Sequence, residues 1–115
     1  MKTPKYRHVF IYNFFDRFYI KQSKKVQNKI SWTLKLIEEI QIIPDVYLKH
    51  IENTDALYEI RVQSGGDIFR IFCFFDDGNL IVVINGFQKK TRKTPQNEIE
   101  RASKIKKEYY QTKEK

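Results

Sequence analysis

From Leu57 to Lys90 the chain reads LYEIRVQSGGDIFRIFCFFDDGNLIVVINGFQKK, three runs of Ile, Val and aromatic residues separated by two turn signals. β-branched and aromatic residues suit a pleated surface, so each run predicts a strand. Ser64-Gly65-Gly66-Asp67 and Asp76-Asp77-Gly78-Asn79 supply residues that tolerate the positive φ of tight hairpins. With two-residue loops at Gly65-Gly66 and Asp77-Gly78, counting outward sets Arg61 opposite Arg70 and Arg70 opposite Asn85. Side chains alternate between sheet faces. One face then carries Tyr58, Ile60, Val62, Phe69, Ile71, Cys73, Phe75, Leu80, Val82 and Ile84, with no charge, and calls for a cover of helices. The other carries Leu57, Glu59, Arg61, Ile68, Arg70, Phe72, Phe74, Ile81, Val83, Asn85, Phe87 and Lys89.

Elsewhere the period changes. Tyr6 to Tyr12 reads as a short strand at or near a sheet edge, after a loose end at Met1 to Lys5. The aromatics of Asn13 to Ile20 recur at spacings of three and four, which predicts a turn or two of helix. Lys24 to Gln41 is the clearest helix, capped by Ser23, with Val26, Ile30, Thr33, Leu34, Ile37 and Ile40 on one stripe that Trp32 and Leu36 widen. It is the natural cover for the uncharged face. Asp45 to Asp55 shows no periodicity and reads as a loop. Thr94-Pro95 opens a last helix, with Thr94 as N-cap, Glu98 in the first turn, and Ile99, Ala102, Ile105 and Tyr109 as its apolar stripe; the end from Gln111 is expected to fray.

At 115 residues this is one expected domain, residues 1–115, of α+β class. The apolar runs are too short for a membrane span, and no signal peptide is visible. With Cys73 the only cysteine there is no disulfide framework, and a cytoplasmic protein is expected; Cys73 itself reads as a buried, inert thiol. Net charge is +8, and the segment from Gln88 onward holds ten Lys or Arg against four acids. Such an edge attracts phosphate backbones or an acidic partner.

The chemistry left open is cationic. A glycine-rich phosphate loop is missing, and His8 and His50 with one Cys make no metal-site spacing. Like charges facing each other at Arg61 and Arg70 are mildly destabilising unless something anionic lies between them. That anion is either a ligand or Glu59 pairing with one arginine while solvent screens the other. Arginine presents a fork that matches phosphate oxygens, and a lysine beside two guanidinium groups is pushed toward its neutral, basic form. Two arginines and a lysine can therefore cleave RNA without histidine or metal: the 2′-hydroxyl is deprotonated and attacks, and the arginines hold the charge of the transition state. Basic residues among aromatics also describe non-catalytic RNA binders.

At these residues the chain resembles the HigB-like, phage-derived branch of the RelE/ParE toxin superfamily. The matching stretches are YLKHIENTDALYEIRV (Tyr47 to Val62), IFRIFCFFDDGNLIVVINGFQKKTRKTP (Ile68 to Pro95) and EIERASKIKKEY (Glu98 to Tyr109). The resemblance implies a RelE-like antiparallel sheet of about four strands, two N-terminal helices packed on one face and a C-terminal helix. It implies the toxin of a type II toxin–antitoxin pair, a ribosome-dependent messenger RNA endonuclease. The implied partners are the ribosome, messenger RNA and a helix-turn-helix antitoxin through which the pair meets operator DNA, with no membrane and no cofactor. Carried over by motif, Arg61, Arg70 and Lys89 or Lys90 are the catalytic candidates. Lys49, His50, Arg92 and Lys93 are the RNA-binding ones, and Tyr109 and Tyr110 are read as packing residues. The ParE branch inhibits gyrase instead, so a non-catalytic binding module is the alternative.

Overall fold

The computed structural model describes residues 5–113, which excludes all but Lys5 of the expected loose end. The elements are β1 (His8–Ile11), α1 (Asn13–Ile20), α2 (Lys24–Glu39), β2 (Leu48–His50), β3 (Tyr58–Ser64), β4 (Asp67–Asp76), β5 (Leu80–Lys89) and α3 (Gln96–Lys113). They form an α+β fold of RelE-like type around a five-stranded sheet of order β1-β5-β4-β3-β2. Two details differ from expectation. The sheet is mixed, because β1 runs parallel to β5. The segment read as a loop contributes β2, held by backbone pairing to β3 rather than by any apolar pattern of its own.

Helices α1 and α2 cover one face. Phe15, Val26, Ile30 and Ile37 pack there on Ile60, Val62, Phe69, Ile71 and Cys73. The Ser23 hydroxyl accepts from the Val26 N–H and caps α2 as expected. At the other end Arg7 donates to the carbonyls of Ile37, Ile40 and Gln41, which would otherwise be orphaned. Trp32 does not widen the buried stripe; it is 47% exposed. Burial pushes the Cys73 thiol pKa up, so it stays a protonated core group.

The opposite face carries a second core, in which Leu57, Phe72, Phe74, Val82 and Ile84 meet Ala102 and Ile105 of α3. Val82 and Ile84 were expected beneath α1 and α2, as was Leu80, which packs against this same cluster. Their places on the first face are taken by Ile81 and Val83. The cause is a three-residue loop, Asp77-Gly78-Asn79, which pairs Asp76 with Leu80 and moves the start of β5 by one residue. Asp77 and Gly78 both adopt left-handed backbone there, at φ 52° and 78°. A bulge opposite Phe72/Cys73 then shifts the register once more. Two shifts restore the faces beyond the bulge, so Arg70 lies opposite Phe87 rather than Asn85, and Asn85 lies opposite Phe72.

Beyond the bulge, Gly86 faces α1. A Cβ at that position would lie 2.7 Å from the Phe18 ring, so the strand is glycine where the aromatic ring presses on it. Gly86→Ala is expected to cost about 1–3 kcal/mol through overpacking. The check is the denaturant midpoint, which falls without a change in the slope of the transition.

Candidate functional site

Helix α3 covers only part of its face. Toward the Gly65-Gly66 end of the hairpin the rungs read Gln63–Ile68–Lys89 and Arg61–Arg70–Phe87, with Gln63 exposed, Ile68, Lys89, Arg61 and Phe87 half-buried, and Arg70 buried. The next rung, Lys49–Glu59–Phe72–Asn85, leads toward the helix. Arg61 and Arg70 are therefore direct cross-strand neighbours, because the two-residue Gly65-Gly66 turn sets that register, with Gly65 at φ 62°. Phe72 and Phe87 stack 5.6 Å apart and floor the site.

Glu59 lies between the arginines, and it serves both. Its Oε1 accepts from Arg61 Nε and Nη2, each at 3.2 Å, and its Oε2 lies 3.7 Å from Arg70 Nε. The carboxylate is itself buried, at 7% exposure. A third group holds it: the Thr94 hydroxyl donates to Oε2 at 3.2 Å. Thr94 is thus a tether for Glu59, and the Pro95 carbonyl accepts the first α3 bonds, from the Glu98 and Ile99 N–H groups. The expected N-cap role of Thr94 is replaced by this tertiary one.

Arg70 is 91% buried and donates from Nη1 to the Phe69 carbonyl, while its Nε has no hydrogen-bond partner. Desolvation lowers its pKa, Glu59 opposes that and Arg61 adds to it. Both amide atoms of buried Asn85 and one carboxylate oxygen of Glu98 likewise lack partners. Lys89 shares the site's field. Burial lowers its pKa, with Arg70 and then Arg61 adding to the shift and Glu59 opposing it.

The other candidates divide. Lys49 is exposed in register with Glu59, on the cluster face. Lys90, Arg92 and Lys93 are exposed on the β5–α3 connection rather than in the cluster. His50 is in register with Tyr58 and packs edge-on against its ring at 5.3 Å, one residue out of phase with Lys49 and so on the opposite face. Tyr109 and Tyr110 pack on Phe74 under α3, away from the arginines. Among the described residues no three His, Cys, Asp or Glu side chains converge as metal ligands. Nor is any described helix long and apolar enough to cross a membrane.

The five-stranded sheet with its flanking helices is consistent with a RelE-like fold, and its family match places the chain in the RelE/ParE-like toxin superfamily. The family model of the phage derived protein Gp49-like (DUF891) matches residues 17–107, and the chain belongs to that family. No curated protein matches the chain.

Proposed function

We propose that this chain is the toxin of a type II toxin–antitoxin pair, a HigB-like endoribonuclease that cuts messenger RNA on the ribosome. One observation carries the proposal: Arg61 and Arg70 face each other across β3 and β4, with Lys89 on the adjoining rung. A phosphate entering there exchanges with Glu59 for the two forks. Two guanidinium groups then hold the charge that grows on the non-bridging oxygens in the transition state. Lys89, its pKa lowered by burial and by the arginines, takes the proton of the 2′-hydroxyl. The 2′-oxygen bonds to phosphorus, the P–O5′ bond breaks, and the 5′-oxygen leaves as the alcohol after taking a proton from water. DNA lacks the nucleophile and is not cut. Lys49, Arg92 and Lys93 guide ribosomal or messenger RNA, while His50, facing the other way, is left out. In the cytoplasm the partner is an antitoxin with acidic surface to match the +8 charge, a helix-turn-helix protein that also carries the pair to operator DNA.

A second reading has an observation of its own. Arginines already bound to a buried carboxylate can be structural, and the basic surface then serves binding without cleavage, to gyrase or to the antitoxin. Mapping message ends after induced expression separates the two. New ends inside translated codons, lost when translation is blocked, are expected; intact message with altered DNA topology would favour the second reading.

A further inference from the structure

The Arg61/Arg70 site does not end at the sheet. Strand β2 pairs with β3 only over Tyr58 to Ile60, and past that point the outer edge of β3 is bordered by a cleft of about 590 Å³. The cleft begins at Arg70 and Arg61, passes Tyr47 and Gln63, and reaches Lys29 on α2. A shallower groove, which shares Lys29, Gln63 and Gly65 with it, carries on to Lys25 and Trp32. The two together are lined by basic, polar, aromatic and apolar side chains and by no carboxylate.

Trp32 is the unexplained residue of this path. It is a large aromatic left about half exposed on a helix whose buried stripe runs elsewhere. Tyr47 braces it edge-on at 5.9 Å, and the Lys29 ammonium lies 4.2 Å from the ring centroid. A half-exposed, oriented indole with Lys29 over its ring and Lys25 in the same groove offers an aromatic surface for a base and cations for the neighbouring phosphate.

We propose that this cleft is a second nucleotide subsite, which takes the stretch of single-stranded RNA adjoining the phosphate at Arg61 and Arg70 and stacks one base on Trp32. The inference rests on the RNA-cleaving reading and extends it. An acidic peptide adding as a strand fits less well. Outward backbone groups alternate along β3, and the Arg61 N–H is already bonded to the Tyr47 carbonyl. That leaves the C=O of Arg61 and the N–H and C=O of Gln63, too short a ladder for strand addition.

Trp32 is the chain's single tryptophan, so its fluorescence reports the subsite directly. The probe is a 2′-O-methyl RNA octamer, which cannot be cleaved, titrated into the full chain at low salt. Expected are quenching of the emission on binding, an affinity loss of about tenfold in Trp32→Ala and partial recovery in Trp32→Phe. A poly-glutamate peptide of equal charge should bind at least tenfold more weakly and leave the emission unchanged. Octamer binding with no change in emission and no effect of Trp32→Ala overturns the subsite, as does equal quenching by the peptide. Absence of octamer binding overturns it too, yet leaves message-end mapping in induced cells to decide the proposed cleavage separately.

Discussion

Arg70→Ala is expected to lower message cleavage by about 10²–10³-fold and to abolish growth arrest, since removing one preorganised donor to a developing oxyanion costs that much. Arg70 is the more buried of the pair and the one whose Nε is unpartnered. Folding should survive the change. Glu59 keeps both hydrogen bonds to Arg61 and the one from Thr94, so the buried carboxylate is not orphaned. A thermal midpoint within a few degrees of the parent distinguishes loss of chemistry from loss of structure. The pH profile carries a second sign. Activity should rise with pH as Lys89 loses its proton, and after burial Arg70 is the largest cause holding that pKa down. In Arg70→Ala the rising limb should therefore move to higher pH. Cleavage equal to the parent's, with an unmoved limb, would place the chemistry elsewhere.

The largest effect on stability is expected at Asp76, at the far end of β4. Its side chain is 5% exposed, and its Oδ2 accepts from the Tyr109 hydroxyl and from Lys113 Nζ, both at 2.7 Å. These contacts fasten the end of α3 to the hairpin, which is why the helix runs to Lys113 instead of fraying from Gln111. The Lys113 ammonium is about half exposed and contributes little; the Tyr109 bond is part-buried and charge-assisted. Asp76→Ala should cost about 2–3 kcal/mol, mostly through that bond, and lower Tm by roughly 10 °C. The Lys113 hydrogen bond, with that from Tyr109, holds the Asp76 carboxyl below its ordinary pKa, and burial opposes them. Burial and Asp76 together push the Tyr109 hydroxyl up to about 12, so it stays a donor at neutral pH. A carboxyl depressed in the folded state stabilises above its unfolded pKa of about 3.9, and that contribution is lost as pH falls through the folded value. Wild type should thus shed stability below about pH 4 that Asp76→Asn never had, and their melting curves should converge. Parallel curves down to pH 2.5 would show that Asp76 is not the latch.

How much of this was legible in the residues depends on where the determining contacts lie. Turn chemistry is local: Gly65-Gly66 alone set Arg61 against Arg70, and Ser23 alone marked the start of α2. The stripe Ala102/Ile105 was visible as spacing and is buried as such. Strands β4 and β5 are apolar on both faces, since helices cover both, so no alternation revealed the extra loop residue that shifts the start of β5 or the bulge that ends the shift.

The amino-acid order by itself determined the elements of the central hairpins, the guanidinium pair and the family likeness, because each depends on neighbours a few residues apart. Only the tertiary structure decided that Glu59 holds both arginines, that Thr94 tethers it across 35 positions, and that Trp32 stands at the end of a basic cleft. Those facts come from side chains that meet through packing of distant segments, and short-range periodicity carries no record of such meetings.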